Sequence, residues 1–138
     1  MGTTLVVNIG SSSKKYALYS EDQQVIELRF EETDSGFEVC SRTAGIQQVC
    51  ESVNQEEYSN SFLRVAEDVK RQLMQEAVGK KLDRAVIRVV APGTFFQKHA
   101  VIDEVYEKAL LKRESAAPLH IPFTLREIAE IKKFFPGT

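Results

Sequence analysis

The first third of the chain alternates between hydrophobic and polar positions, a pattern typical of β-strands with one buried face. Leu5–Asn8 and Lys14–Ser20 flank a Gly/Ser cluster, and this arrangement predicts a β-hairpin. Gln24–Phe30 repeats with period two, and Phe37–Ser41 continues after a turn segment at Glu31–Gly36. We therefore predict an initial meander of three or four strands.

Helical periodicity replaces the alternation further along the chain. Between Glu56 and Val78 the apolar residues recur three and four positions apart, the charged residues occupy the opposite face, and Gly79 suits the C-terminal cap. We predict one long helix over this range. The preceding segment, Arg42–Gln55, is ambiguous because Ile46–Val49 fits either a strand or a short helical turn.

Two more helices are predicted in the last third. Asp103–Lys112 begins with a residue suited to the N-cap, and its inward face is predicted to include Val105 and Leu110. The last helix is predicted to begin at about Thr124, its N-cap, with Glu127 at capping-box spacing.

A short, nearly all-apolar run lies between the helical segments. This run, Ala85–Val90, is interrupted only by Arg88, and it predicts a central strand covered on both faces. Strands followed by helix, strand and two helices predict an α/β fold with a mixed sheet. No repeat or linker divides residues 1–138, so we predict a single domain.

The composition narrows the function classes. The chain has 138 residues and a net charge of −2, so it lacks the overall basic character of a nucleic-acid-binding protein. It has no apolar run long enough for a membrane span and no signal-peptide layout. Its two cysteines, Cys40 and Cys50, are too few for a disulfide framework, and we interpret them as reduced thiols in a cytoplasmic protein. We expect neither a nucleic-acid nor a membrane partner.

The turn of the first hairpin carries the first candidate site. Asn8 ends the first strand, where its amide could hold a phosphate-bound metal ion or its water. Gly10 allows either close approach of a ligand or a positive φ. Ser11 and Ser13 offer hydroxyls and backbone N–H groups that can form a concave anion site, and Lys15 adds a positive charge. From composition alone, a solvated turn is the commoner explanation.

Three further charged or titratable residues need an assignment. Arg88 interrupts an apolar strand, so either an internal acid pairs with it or its guanidinium leaves the strand end to bind a carboxylate or phosphate. His120 lies among apolar residues and prolines, where it is either a hydrogen-bonded structural residue or a donor to a phosphoryl oxygen. Strand alternation directs Lys14 away from Lys15, and we predict that Lys14 is exposed.

These motifs resemble those of the acetate kinase family. Asn-x-Gly-Ser-Ser-Ser-x-Lys over Asn8–Lys15 resembles the opening of acetate kinases, and Arg88–Val90 matches the start of their Arg-Val-Val-His-Gly-Gly-Glu motif. Ala117–His120 matches the start of their Ala-Pro-Leu-His-Asn-Pro motif. The family belongs to the acetate and sugar kinase/Hsp70/actin superfamily, so the resemblance implies a ribonuclease H-like (actin-like ATPase) lobe.

The resemblance also implies a reaction. Acetate kinases transfer the γ-phosphoryl group of ATP to a short-chain carboxylate with Mg²⁺, which gives ADP and an acyl phosphate. By resemblance, Asn8 is assigned to Mg²⁺, and the ATP phosphates are assigned to Gly10, Ser11, Ser13 and Lys15. The acyl substrate is assigned to Arg88, Val90 and Leu119. The resemblance assigns catalysis to Arg88 and His120. The resemblance further implies an N-terminal lobe without its C-terminal nucleotide-binding lobe, and a homodimer of the full-length protein. We therefore expect the chain by itself to be inactive.

Two alternatives stay open, and departures from the family motifs motivate the first. Ala91 and Pro92 stand where the family has histidine and glycine, Thr94 where it has glutamate, and Ile121 where it has asparagine. A catalytically degenerate relative that serves as a binding or scaffold protein would fit these changes. The second alternative is a stand-alone α/β interaction module whose serine-rich turn is only a turn.

Overall fold

Six strands form the sheet in the computed structural model, which describes residues 2–75, 81–91 and 94–138. They are β1 Thr3–Ile9, β2 Ser13–Ser20, β3 Gln23–Thr33, β4 Gly36–Thr43, β5 Val49–Val53 and β6 Arg84–Ile87. The spatial order is β5-β4-β3-β2-β1-β6, with β1 to β5 antiparallel and β6 parallel to β1. The predicted meander and mixed sheet are confirmed, and the meander has five strands.

Four helices accompany the sheet in these described ranges: α1 Gln55–Ser59, α2 Ser61–Leu73, α3 Glu104–Lys112 and α4 Ile121–Phe134. Short 3₁₀ turns lie at Thr94–Gln97 and Glu114–Ala116. Helices α2 and α4 pack on one face of the sheet, where the rings of Phe62 and Tyr16 meet edge to face with centroids 5.9 Å apart. A second apolar cluster joins α3 to α4 around Leu110 and Ile121.

The prediction of a single helix over Glu56–Val78 is wrong, because α1 and α2 are separate helices. Helix α1 has a capping box of its own, in which Asn54 Oδ1 accepts from the Glu57 backbone N at 2.8 Å and Glu57 Oε1 accepts from the Asn54 backbone N at 3.1 Å. The chain then breaks at Asn60, whose backbone (φ −103°, ψ 35°) separates α1 from α2. Apolar spacing does not register such a break, because side-chain type is unaffected by one residue's dihedral angles. The predicted end of the helix and its cap at Gly79 lie outside the described residues.

The prediction of a buried central strand over Ala85–Val90 is also wrong. Among the described strands β6 pairs only with β1, so it is an edge of this sheet, and Val86 is 50% exposed. The strand ends at Ile87 and Arg88 is exposed. An apolar run records side-chain type and not the number of neighbouring strands, so it does not distinguish an edge from a centre.

Helix α3 begins as predicted and buries Leu110 as predicted, but Val105 does not face inward. Asp103 is its N-cap and accepts from the Tyr106 backbone N at 2.9 Å. Val105 is 68% exposed, whereas Tyr106 and Leu110 are buried one helical turn apart. The prediction for Val105 is therefore wrong by one residue, which in a helix is about 100° of rotation.

Helix α4 begins three residues earlier than predicted, at Ile121. Pro122 fits the first turn of the helix, because its missing N–H has no helical partner there. The Thr124 hydroxyl donates to the His120 carbonyl oxygen at 2.9 Å, so Thr124 lies inside the helix and the predicted capping box is wrong. Glu127 is turned into the interior instead.

A buried hydrogen-bonded group connects β2 with both helices on this face. The Tyr16 hydroxyl donates to Glu127 Oε1 at 2.8 Å and lies 3.0 Å from Ser61 Oγ. Burial raises the pKa of the Glu127 carboxyl above its usual value, although the hydrogen bond from Tyr16 and the charge of Lys14 act in the opposite direction. Folding therefore places an acid where water does not solvate its charged form.

Lys14 lies on the same buried side of β2, so the prediction that it is exposed is wrong. The residue is only 6% exposed, and its Nζ donates to the Tyr58 carbonyl oxygen at 3.0 Å. Burial lowers the pKa of Lys14, with Glu127 acting in the opposite direction. Strand alternation does place Lys14 on the face of the buried Tyr16, but it does not reveal that a backbone carbonyl receives the ammonium.

The structure joins Cys40 and Cys50 in a disulfide, which contradicts the prediction of reduced thiols. The two residues are direct partners across the antiparallel strands β4 and β5. Their separation of 10 residues does not predict a bond by itself. The pairing depends on the β4–β5 register, and the sequence leaves β5 ambiguous.

Across the described residues, the helices are too short or too polar to cross a bilayer.

We expect Glu127→Gln to stabilise the protein increasingly as the pH rises. The raised pKa means that the folded state binds the Glu127 proton more tightly than the unfolded state, whose carboxyl has a pKa near 4.5. Wild-type stability therefore falls as the pH rises from the unfolded pKa through the folded one, by about 1.4 kcal/mol for each pH unit between the two pKa values. The glutamine keeps an acceptor for Tyr16 but cannot ionise. Urea unfolding from about pH 4 to pH 8 measures the difference.

Glu67→Gln, which changes an exposed acid on α2, is the matched control. A difference between Glu127→Gln and wild type that stays constant over this pH range, as for Glu67→Gln, would contradict the prediction.

Candidate functional site

Strand pairing brings three of the predicted site residues close together at one end of the sheet. Asn8 and Lys15 are direct partners across β1 and β2, so their side chains are neighbours. Val7 pairs with Ile87, and the backbone N of Arg88 donates to the Val7 carbonyl oxygen at 3.1 Å. Because Val7 faces the core, alternation places Asn8 and its partner Lys15 on the opposite face, and Arg88 lies beside this pair at the end of β6.

The serine-rich turn connects β1 to β2 beside these residues. The backbone N of Gly10 donates to the Ser13 carbonyl oxygen at 2.7 Å, which closes the turn. Gly10 has no positive φ; instead, an added Cβ would lie 3.3 Å from that same oxygen. Close approach of backbone therefore explains the glycine. Ser11 and Ser12 are exposed, and the Ser12 carbonyl oxygen accepts from the Glu32 backbone N at 3.0 Å.

His120 stands at the start of α4, close in the fold to the segment that carries Arg88. Ile121 belongs to an apolar cluster against which Ile87, Val89 and Ala91 also pack, so the start of α4 and the residues on both sides of Arg88 share one cluster. His120 is half-buried and makes no side-chain cap hydrogen bond to the helix.

The two predicted acyl-pocket residues are accessible. Val90 is 39% exposed and Leu119 is 64% exposed. Both belong to the segments that carry Arg88 and His120 rather than to a separate part of the fold. They are thus available to a ligand that reaches these segments.

The exposed position of Arg88 argues against the first of its two assignments, a salt bridge to an internal acid. A buried salt bridge to an internal acid requires a buried guanidinium, and Arg88 is exposed at the end of β6. Its planar fork is therefore available for a carboxylate or a phosphate.

Lys15 has a charged environment that sequence reasoning missed. Its Nζ lies 3.8 Å from Glu27 Oε2, and Arg29 and Arg42 contact the other oxygen of the same carboxylate. Period two already places Glu27 and Arg29 on one face of β3. That Arg42 on β4 lies opposite Glu27 follows only from the strand register.

One group of residues and one separate residue carry atoms that could ligate a metal ion. Glu38, Cys40 and Cys50 lie close together, but the sulfurs are bonded to each other and are not thiolates. Asn8 offers an exposed amide oxygen at the end of β1, next to Lys15. Oxygen donors suit Mg²⁺, which often takes one or two protein ligands together with substrate phosphates, so Asn8 fits that ion.

Comparison with known proteins identifies the family. The family model described as "Acetokinase family" matches residues 3–138. The chain belongs to the acetokinase family. The acetate kinase of Thermosipho melanesiensis is 33% identical to it, over 96% of this chain and 34% of that protein, and the acetate kinase of Thermotoga petrophila is 30% identical with the same coverage. The chain thus spans about a third of the length of the curated relatives it matches.

Solved structures of acetokinase-family proteins share the fold. A propionate kinase from Francisella tularensis superposes with a TM-score of 0.75 at 25% identity, over 99% of this chain and 35% of that chain. An acetate kinase from Entamoeba histolytica gives a TM-score of 0.71 at 24% identity, over 99% of this chain and 33% of that chain, and at this identity it supports the fold alone. The expected lobe of the acetate and sugar kinase/Hsp70/actin fold is confirmed.

We expect alanine substitutions at the exposed site residues to leave stability nearly unchanged. Asn8→Ala and Arg88→Ala remove exposed side chains, so each should change the free energy of unfolding by less than about 0.5 kcal/mol. Leu18→Ala, at a residue 0% exposed, should lower it by about 2–5 kcal/mol. Urea unfolding of the complete gene product measures all three. A loss at Arg88 as large as that at Leu18 would contradict the exposed placement of Arg88.

Proposed function

We propose that the chain is the N-terminal lobe of a short-chain carboxylate kinase. The complete protein would transfer the γ-phosphoryl group of ATP to acetate or a similar acid, giving ADP and an acyl phosphate, and would also run in reverse. Membership of the acetokinase family supports the reaction class. The observation that carries the proposal for this chain is that strand register sets Asn8 beside Lys15, while Arg88 follows directly after the β6 residue that pairs with Val7.

The phosphate side of the site rests on the turn between β1 and β2. Lys15 and the hydroxyls and backbone N–H groups of Ser11 and Ser13 would neutralise and orient the phosphates, with Gly10 giving a tight turn. Asn8 would help to hold Mg²⁺, which would supply further charge neutralisation there. Phosphoryl transfer depends chiefly on positioning and charge stabilisation, which residues of these types provide.

The acyl side would be built from the segments of Arg88 and His120. The guanidinium of Arg88 can bind a carboxylate or acyl phosphate through two parallel hydrogen bonds. A ring N–H of His120 would donate to the phosphoryl oxygens during transfer. Val90 and Leu119 would line a small acyl pocket and so limit the length of the acid.

The departures from the family motif differ in their bearing on the site. Ile121, which replaces the family's asparagine, is 0% exposed and packs in the cluster with Leu110 and Ile128. Its side chain therefore serves packing and does not face a ligand. Ala91 and Pro92 follow the arginine motif directly, and they favour a second candidate: a degenerate relative that binds nucleotide without forming acyl phosphate.

The remaining parts of the proposal concern the complete protein. We propose that a second lobe supplies the adenosine site, that the active cleft lies between lobes, and that this chain alone is inactive. We propose from the family resemblance that the complete protein is a homodimer. Its ligands would be ATP or ADP and a carboxylate or acyl phosphate, and we propose neither nucleic acid nor membrane as a partner. The cytoplasmic location stays a prediction, and the Cys40–Cys50 disulfide is uncommon in that compartment.

We expect the complete gene product to form acyl phosphate from Mg-ATP and acetate, propionate or butyrate, detected by trapping with hydroxylamine. Lys15→Ala and Arg88→Ala should each lower kcat/KM by about 10²- to 10³-fold, the loss typical of removing one charge-stabilising donor. Arg84→Ala, which removes an exposed arginine at the other end of β6, is the matched control and should retain activity.

The outcomes separate the candidates. A folded protein that forms no product with any of the three acids but binds nucleotide would favour the degenerate relative. Turnover that is unchanged in both Lys15→Ala and Arg88→Ala would reject the site assignment.

A further inference from the structure

Glu27 is a carboxylate that is shielded from water although it lies on the sheet face opposite the helices. Its side chain is 8% exposed, and three cations surround it. Arg29 Nη2 donates to Oε1 at 3.3 Å and Arg42 Nη2 lies 3.7 Å from the same oxygen. The other oxygen, Oε2, faces Lys15 Nζ at 3.8 Å. The two arginines thus occupy one carboxylate oxygen, and the lysine lies beside the other.

Strand register explains this arrangement. Glu27 pairs with Ala17 on one side and with Arg42 on the other, in a row that crosses β2, β3 and β4. The adjacent row on the same face pairs Lys15 with Arg29. Lys15 is therefore a diagonal neighbour of Glu27, a separation that a long side chain bridges. The small side chain of Ala17 directly opposite Glu27 leaves room for the lysine to reach across.

Shielding makes the carboxylate a strong restraint on its neighbours. A charged group that is removed from water must be paired, and Arg29 and Arg42 hold Glu27 in place from two directions. Lys15, by contrast, is 48% exposed and has a flexible four-carbon stem. A fixed carboxylate near its ammonium restricts the positions that the ammonium adopts. The three cations outnumber Glu27 and Glu31, which also pairs with Arg29, so the cluster carries excess positive charge, which favours a phosphate ligand.

We infer that Glu27 is a positioning residue for Lys15: held by Arg29 and Arg42, it fixes the Lys15 ammonium for binding of the nucleotide phosphates. The role of Lys15 in this inference rests on the proposed function, whereas the contact between Lys15 and Glu27 is a feature of the structure. When a flexible side chain is already ordered before the ligand arrives, binding no longer has to supply the entropy cost of ordering it. Because the benefit is equal in the ground and transition states, it changes KM more than kcat.

The first test is kinetic and uses the complete gene product. Glu27→Gln should raise KM for Mg-ATP about three- to tenfold, the range expected from freeing one long side chain, and should leave kcat within about twofold. Glu31→Gln is the matched control, because Glu31 lies on the same strand and pairs with Arg29 but not with Lys15. It should leave both constants unchanged.

A double-mutant cycle then asks whether Glu27 acts through Lys15. In a Lys15→Ala background, Glu27→Gln should have no further effect on KM, because the residue it positions is absent. An equal rise in KM in both backgrounds would overturn the inference, since Glu27 would then act on the site by another route. Equal effects of Glu27→Gln and Glu31→Gln would overturn it as well.

A second measurement does not depend on catalysis. Acylation of lysines by a neutral reagent, quantified residue by residue with mass spectrometry, should modify Lys15 faster in Glu27→Gln than in wild type or Glu31→Gln. If the variant does not fold, wild type in about 1 M salt replaces it, because the Debye length there falls to about 3 Å and weakens the ion pair. Labelling of Lys15 should then rise relative to that of exposed Lys108 on α3.

The two measurements distinguish two kinds of failure. A wild-type protein that forms no acyl phosphate but shows the labelling response would reject the proposed function while supporting the restraint of Lys15 by Glu27. Labelling of Lys15 that responds neither to Glu27→Gln nor to salt would overturn the inference even in an active enzyme.

Discussion

The candidate site depends on one constraint: β1 pairs with β2 on one side and with β6 on the other, in a single register. The first pairing sets Asn8 beside Lys15, and the second sets Arg88 one step beyond Ile87. A slip of one residue would turn Asn8 toward the core and expose Val7. The shifted strand would then bury a polar amide and lose the burial of an apolar side chain. The hydrophobic face of β1 therefore specifies the position of the polar one.

Strand β2 extends this constraint, because it takes part in a different charged cluster on each face. On the helix side, Tyr16 and Lys14 reach Glu127 and Tyr58, and so connect the strand to α4 and α1. On the other side, Lys15 reaches Glu27. The strand that carries the phosphate-turn lysine is thus anchored from both faces. An anchored strand suits a site whose chemistry depends on placement more than on covalent steps.

Departures from regular pattern were the hardest features to anticipate. The break at Asn60, the edge position of β6 and the Cys40–Cys50 bond all depend on backbone conformation or on which strands are neighbours. A one-dimensional pattern contains neither. Val105 was predicted to face inward instead of Tyr106 for a related reason: several rotations of a short helix place some apolar residue inward, and only packing against Phe96 and its cluster selects Tyr106.

The sequence alone was sufficient for the meander, the mixed α/β sheet and the membership suggested by the motifs at Asn8–Lys15, Arg88–Val90 and Ala117–His120. Alternation and motif spacing are local, and local order survives in a linear chain. Tertiary structure decided the rest: that Lys14 is buried, that Thr124 does not cap α4, and that Glu27 meets Lys15. Each of these depends on how the chain packs around the residue, and the free energy of burying a charge is set by the partners that packing supplies rather than by the residue itself.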